Sequence, residues 1–477
     1  MKNLKGANSM ISKNNSPQQK VIFDNDYWQT RLDSLCKEYN VPGAALAVLK
    51  DKKIYKFASG VLNRGTGVEV TTDSLFQIGS MSKVYTATLI MQLVDEGLLH
   101  LGDTLKDLLP ELTIPYAESI TIRHLLTHNS GLTSDGFFDS GRGDDCLAKY
   151  VDLCKEQNVS DSPPSQLVSY SNLGYNLLGR IIEVLTHQIW DEALIERLFI
   201  PLGLTHTVTL PEEVLKFRAA MGHIGLKGQD PEPAPFWNVL PRAAGPSGAA
   251  ICATAEDIVR MAHMHLNAGK DFEGNQILQL QTTTAMQQLV GKVPDPWSYG
   301  NQGFGLGWMI YDWDGISVIG HDGGTLGQNA YLRFIPQFNI AVALLTNGGS
   351  TDLLYMALYR ELFSKLTDVQ IPDLSLKRPS QSPLVDMKPL LGKYQRLGSV
   401  LTLSERNGKP WMLYEHGMGA FYQPVEMELV PISENVFIGI SSAESFFGEV
   451  PLPVVFSSLA DGTIYCHIGM RATPKIA

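Results

Sequence analysis

The sequence predicts an α+β protein: one antiparallel sheet built from both chain ends, a largely helical subdomain beside it, and a small C-terminal β-barrel. Three observations carry this reading. Residues 42–60 alternate apolar and polar as a two-stranded hairpin, and strand-like runs return only at 307–311, 316–319, 331–335 and 340–345. Helical periodicity dominates 80–200 between them. Past residue 383 short β-type runs recur at close spacing.

Taken in order, residues 1–24 are polar, poor in aromatics and without periodicity, as expected of a disordered tail. The main unit is expected at 25–366, starting near Tyr27-Trp28. Its hairpin sets Ala45, Ala47 and Leu49, then Ile54, Tyr55 and Phe57, around the polar turn Lys50-Asp51-Lys52-Lys53. A run of helix formers at 84–99 follows the breaker Gln77-Ile78-Gly79, and a helix at about 255–268 carries Glu256 and Asp257 in its first turn. A linker with Pro, Ser and Lys at 367–383 separates this unit from the barrel at 384–477, whose clearest strands are 400–403, 410–414, 436–440, 454–457 and 463–468.

The composition fits a well-cored multi-domain protein, with 44% hydrophobic and 18% charged residues over 477 positions. Net charge is 38 − 49 = −11 with no long basic run, which disfavours nucleic-acid and anionic-membrane partners. Five scattered cysteines without Cys-x-x-Cys spacing indicate neither a disulfide framework nor a zinc site. Residues 1–20 lack an apolar signal region, and no stretch reaches the roughly 18 consecutive apolar residues of a membrane span. A cytoplasmic protein without cofactor or metal is the expectation.

Chemistry enters at Ser80-Met81-Ser82-Lys83. An i, i+3 pair shares one helical face, so the Ser80 hydroxyl and the Lys83 amine can meet at a helix N-terminus, where free N–H groups favour a developing anion. Ser34-Leu35-Cys36-Lys37 spells the same motif within an amphipathic stripe and reads as a solvated face. Tyr170-Ser171-Asn172 and His321-Asp322-Gly323-Gly324 follow in order, with Tyr299-Gly300-Asn301, His223-Ile224-Gly225 and His467-Ile468-Gly469 as decoys.

With Val41-Pro42-Gly43-Ala44-Ala45, the Ile120 to Leu132 segment, the Gly303 to Trp308 run and Leu345-Thr346-Asn347, these elements resemble the serine β-lactamase and penicillin-binding protein superfamily over about 27–365. The branch it resembles holds class C β-lactamases, D-aminopeptidases, esterases and penicillin-binding-protein-type thioesterases. Some members append a lipocalin-like barrel, which the C-terminal unit resembles. The resemblance implies the β-lactamase/transpeptidase-like fold and a Ser80 acyl-enzyme.

A serine hydroxyl needs a neighbouring base, and Lys83 can serve if burial and nearby positive charge keep its amine neutral. Tyr170 is the second proton carrier, with cationic partners favouring phenolate character, and which of the two takes the first proton stays open. Asn172 is expected to anchor Lys83 or a substrate amide. His321 stands where many relatives carry the Lys of Lys-Thr-Gly. An imidazole there can switch charge near neutral pH or hydrogen-bond Tyr170, and efficient β-lactam hydrolysis is not expected.

By resemblance the Gly324 N–H joins that of Ser80 in an oxyanion hole, with Gly323 leaving the substrate strand unobstructed. Resemblance also offers Arg471 as a substrate contact at the cleft. His124 and His128 have metal-ligand spacing but Leu125 replaces the needed Glu, so they read as structural. The glycines at 303–307 lack the Lys-Ser/Thr of a phosphate loop and read as strand-entry residues.

Three functions follow. The first is hydrolysis of a peptide, amide, ester or thioester through Ser80, with D-residue peptides expected. The second is transfer of the acyl group to an amine, as in thioesterases that release and cyclise carrier-linked non-ribosomal peptides. The third is a sensor that binds or stalls, which the intact groups at 83, 170 and 321 disfavour. Deleting 384–477 is expected to spare acylation by a small ester while impairing use of peptidyl thioesters.

Overall fold

The computed structural model describes residues 23–225, 229–416, 424–441 and 452–477. Most of the expected tail therefore lies outside the described residues. Its last two positions belong to the folded body: Phe23 stacks on Tyr55 at 4.1 Å and the Asp24 side chain caps the first helix, α1 (Asn25–Glu38). On α1, Leu32, Leu35 and Cys36 are buried while Ser34 and Lys37 face solvent.

The expected hairpin is β1 (Gly43–Lys50) and β2 (Lys53–Asn63), edged by β3 (Val68–Glu69). The chain then leaves the sheet for α2 (Ser82–Asp95), α3 (Asn172–Thr186) and α4 (Ala255–Leu266). It returns as β4 (Gly291–Lys292), β5 (Gly303–Phe304), β6 (Met309–Trp313), β7 (Ile316–Gly324), β8 (Asn329–Ile335) and β9 (Ile340–Thr346), then α5 (Thr351–Thr367). The nine-stranded order β3-β2-β1-β9-β8-β7-β6-β5-β4 joins the two chain ends at the β1–β9 pair, Ala44 opposite Thr346.

Strand periodicity sorts the two faces. In β1, Ala45, Ala47 and Leu49 pack toward the helical subdomain, with Ile258, Val259 and Ala262 of α4 in the same core. Ala44, Leu46 and Val48 pack under α1 and α5 with Leu32, Leu354, Leu358 and Leu362. Both faces are covered, which is why β1 and β9 read as almost continuous apolar runs.

Residues 368–391 form no helix or strand. Beyond them an eight-stranded antiparallel meander runs through β10 (Gly392–Arg396), β11 (Ser399–Arg406), β12 (Lys409–His416), β13 (Val425–Pro431), β14 (Val436–Ser441), β15 (Leu452–Ser458), β16 (Ile464–Ile468) and β17 (Arg471–Pro474). Lys393 N–H donates to the Ala477 carbonyl at 2.7 Å and Ile476 N–H to the Lys393 carbonyl at 2.8 Å, so the sheet nearly closes on itself. Tyr394, Leu401, Met412, Phe437, Val454 and Phe456 fill its interior. Among the described residues no helix is long and apolar enough to cross a membrane. All five cysteines are free and buried.

Candidate active site

Ser80 lies in a 3₁₀ turn, Gly79–Met81, that leads directly into α2. From Ser74 to Met91 it is the one residue that is not buried. Gly79 has φ +55°, and a Cβ there would stand 2.5 Å from the Gly324 amide nitrogen, so only glycine lets the turn meet the end of β7. A Cβ on Gly323 would in turn stand 3.0 Å from the Ser80 nitrogen. The Gly79–Ser80 and Gly323–Gly324 backbones thus lie against each other.

Lys83, the second residue of α2 and one turn beyond Ser80, is fully buried. Its Nζ lies 3.3 Å from Ser80 Oγ, donates to Asn172 Oδ1 at 2.6 Å, and also donates to the Ser247 carbonyl. The rings of Tyr170 and Tyr175 lie 4.6 and 5.6 Å from it. Burial first, then the charge of Arg471, pushes its pKa well below the ordinary lysine value, while Asp135 opposes them.

Tyr170 precedes α3, which Ser171 caps by accepting from Gly174 N–H at 3.1 Å. Asn172 is the first residue of that helix, so the cap fixes the spacing of the two side chains. Burial raises the Tyr170 pKa more than the Ser80 hydroxyl and the Arg471 charge lower it. The expected phenolate character is therefore not found, because water exclusion outweighs one nearby cation.

His321 is buried on β7, its ring centre 6.4 Å from that of Tyr170. Its Nδ1 sits 2.6 Å from the Asp322 carbonyl, which makes Nδ1 the protonated nitrogen. Burial, reinforced by Lys83, lowers its pKa to about 3. Neither expected role is met: the imidazole stays neutral through neutral pH, and its Nε2 has no hydrogen-bond partner among the described residues. The next residue turns to the opposite sheet face, where Asp322 pairs with buried Arg333 at 2.5 Å.

The barrel reaches this site through its last hairpin. Gly469 and Met470, at φ +57° and +64°, form the tight turn between β16 and β17, with Ile468 opposite Arg471. Tyr170 N–H donates to the Met470 carbonyl at 2.9 Å, and Ala472 N–H to Ser169 Oγ at 3.0 Å. Arg471 holds its guanidinium 5.2 Å from the centre of the Tyr170 ring.

Sequence reasoning missed four participants. His128, read as structural, packs its ring against that of Tyr170 at a tilt, with centres 4.4 Å apart, and accepts from Ser171 N–H through Nδ1 at 3.1 Å. Ser247 supplies a carbonyl to Lys83; its Gly-Pro-Ser-Gly setting was the available signal. Asp135 and Arg396 pair at 2.5 Å across 261 positions, and no local pattern encodes such a meeting. The decoys have other work: His223 accepts from Arg64 N–H at 3.0 Å and His467 bonds Ser457 at 2.7 Å. His124 Nδ1 accepts from Thr121 N–H at 3.1 Å in a helix cap. Tyr299 stands beside the Gly469 turn, 4.0 Å from where a Cβ there would be.

The fold defines a serine hydrolase of the β-lactamase and penicillin-binding-protein type. The Beta-lactamase family model matches residues 27–363, and the chain belongs to that family. Penicillin-binding protein 4 of Amycolatopsis lactamdurans is 50% identical over 379 residues, 79% of this chain and 99% of that protein. The crystal structure of SurE is similar at TM-score 0.78 and 26% identity, covering 95% of this chain and 99% of SurE, so the likeness includes the barrel. A SurE structure with D-Leu gives TM-score 0.76 at 27% identity over 95% of this chain and 99% of that one.

Proposed function

We propose that this enzyme transfers acyl groups through a Ser80 ester, taking a peptide, amide, ester or thioester substrate that contains D-residues. The observation that carries the reading is the hydrogen-bond count at Lys83. A neutral amine has two N–H bonds and one lone pair. Asn172 Oδ1 and the Ser247 carbonyl accept the two hydrogens, which leaves the lone pair for the Ser80 hydroxyl at 3.3 Å.

In the forward step Ser80 Oγ bonds to the acyl carbon and gives its proton to Lys83. The amides of Ser80 and Gly324 hold the oxyanion. As the bond to the leaving group breaks, neutral Tyr170 gives that group a proton and recovers one from Lys83. Water or an amine then attacks the ester by the reverse route. His321 packs near Tyr170 as a neutral ring and supplies no cation to a β-lactam carboxylate.

D-residue specificity draws support from the D-Leu bound to SurE. Transfer to an amine, with a carrier-linked thioester as donor, is favoured by one feature: Arg471 brings a barrel cation to the Tyr170 side of the cleft, where it can hold the carboxylate of an incoming chain. The free, buried cysteines suit a reducing, cytoplasmic setting. Product analysis with a peptidyl thioester ending in a D-residue tests the reading. Cyclic or aminolysed product supports transfer, linear acid alone supports hydrolysis, and no Ser80 adduct with either donor overturns both.

A further inference from the structure

We propose that Asp135 is a positioning residue: its carboxylate fixes the Asn172 amide that holds Lys83 and ties that amide to the barrel, an inference that rests on the Ser80–Lys83 reading above. Asp135 lies outside any helix or strand, with its side chain 8% exposed. Its Oδ2 accepts from Arg396 Nη1 at 2.5 Å, and its Oδ1 lies 3.4 Å from Asn172 Nδ2, 3.4 Å from Ser134 Oγ and 3.6 Å from Arg471 Nε. One buried carboxylate therefore touches two barrel arginines, Arg396 and Arg471, and the residue that binds Lys83.

The contact selects one orientation of the Asn172 amide. With Nδ2 toward Asp135, Oδ1 faces Lys83 Nζ at 2.6 Å. A flipped amide would set its oxygen against a carboxylate and its N–H bonds against those of the amine, losing both interactions at once. Backbone contacts in the same loop reinforce the arrangement: Asn172 N–H donates to the Ser134 carbonyl at 2.9 Å and Ser134 Oγ donates to the Tyr170 carbonyl at 2.7 Å.

Charge gives the contact a second consequence. Two guanidinium groups against one carboxylate leave a net positive cluster, and Asp135 limits how much of it Lys83 feels. The groups facing Lys83 are Tyr170, Tyr175, His128, His321, Arg471 and Asp135; those facing Asp135 are Arg396, Arg471, Asp161 and His416. Burial works against the charged form of Asp135, but the two arginines outweigh it and hold the carboxyl well below the usual carboxylate range, so it is charged at neutral pH. Arg471 lowers and Asp135 raises the proton affinity of Lys83.

The test is kcat/KM against pH for hydrolysis of p-nitrophenyl acetate by the full chain. Its acid limb reports loss of the Lys83 proton. Asp135→Asn removes the negative charge at constant shape, and the limb is expected to move down by about one pH unit with at least a tenfold loss of kcat. Arg396→Met removes a positive charge, so the limb moves up, while Asp135→Glu restores it toward the parent. A merely structural Asp135 would lower activity without opposite displacements. Coincident limbs, or shifts of one sign in both variants, overturn the proposal; should Asp135→Asn not fold, an unmoved or lowered limb in Arg396→Met does so alone. Ser80→Ala separates the two ideas: surviving turnover sinks the acyl-enzyme reading, whereas its loss alongside unmoved limbs sinks only the role of Asp135.

Discussion

Tyr170 donates its backbone N–H to the carbonyl of Met470 at 2.9 Å, so the residue proposed as the second proton carrier hangs from the last hairpin of the barrel. The Ser169–Ala472 and Asp135–Arg396 contacts flank it, and Tyr465 Oη donates to the Asp161 carbonyl at 3.0 Å. The barrel is thus part of the wall that keeps Lys83 and Tyr170 dry. The sequence could not give this, because each contact joins residues at least 261 positions apart.

Deleting 384–477 is accordingly expected to impair acylation even by a small activated ester, contrary to the sequence expectation. A displacement of Tyr170 of the order of 1 Å is enough for about a 100-fold loss. The rate of covalent labelling in the truncated chain, with circular dichroism to establish that it folds, decides this. A labelling rate equal to that of the intact protein would confine the barrel to later steps.

Ser80→Ala should abolish labelling by a fluorophosphonate, and Ser34→Ala should leave it unchanged. Ser34 donates to the Thr30 carbonyl on an exposed helix face, whereas Ser80 stands where the chain enters α2 with the buried amine of Lys83 at 3.3 Å. Mass spectrometry of the labelled peptide locates the adduct. An adduct on any other serine removes the assignment.

Lys83→Ala and Tyr170→Phe should each suppress turnover by several orders of magnitude, and the double variant should be little worse than the worse single one. In the proposed mechanism the two groups share one proton path, and members of such a unit are non-additive. Single-turnover acylation rates measure it; losses that multiply would mean independent roles. His321→Ala should be milder than either, since its ring stays neutral and makes no bond to Tyr170.

Local patterns made the sheet, the α2 start and the three motifs legible. The apolar alternation of β1 and β2 and the Gly79 breaker are written in neighbouring residues. Three barrel strands, β10, β13 and β17, went unread because Lys393, Gln395, Glu426, Glu428 and Arg471 break their apolar pattern. The roles of Asp135, Arg396 and His128 depend on which distant segments meet, and the ionisation of Tyr170 and His321 depends on how completely water is excluded. Motif spacing carries neither.

Water exclusion also sets the acid stability, and His265 isolates the effect away from the catalytic cleft. Its ring packs edge-on against Trp308 at 4.9 Å, and neither ring nitrogen has a hydrogen-bond partner among the described residues. Burial lowers its pKa to about 3, while an unfolded histidine titrates near 6.5. The native state therefore refuses a proton that the unfolded chain accepts. The stability linked to His265 is complete above about pH 6.5 and is lost as pH falls toward 3, at about 1.4 kcal/mol per pH unit. His265→Leu fills similar volume without a titrating group, so its unfolding free energy should decline less steeply than the parent's between about pH 4 and 6, by close to that slope. Urea unfolding of both proteins across this range measures the difference. Parallel curves would mean that His265 finds a partner, or water, that lets it charge in the folded state.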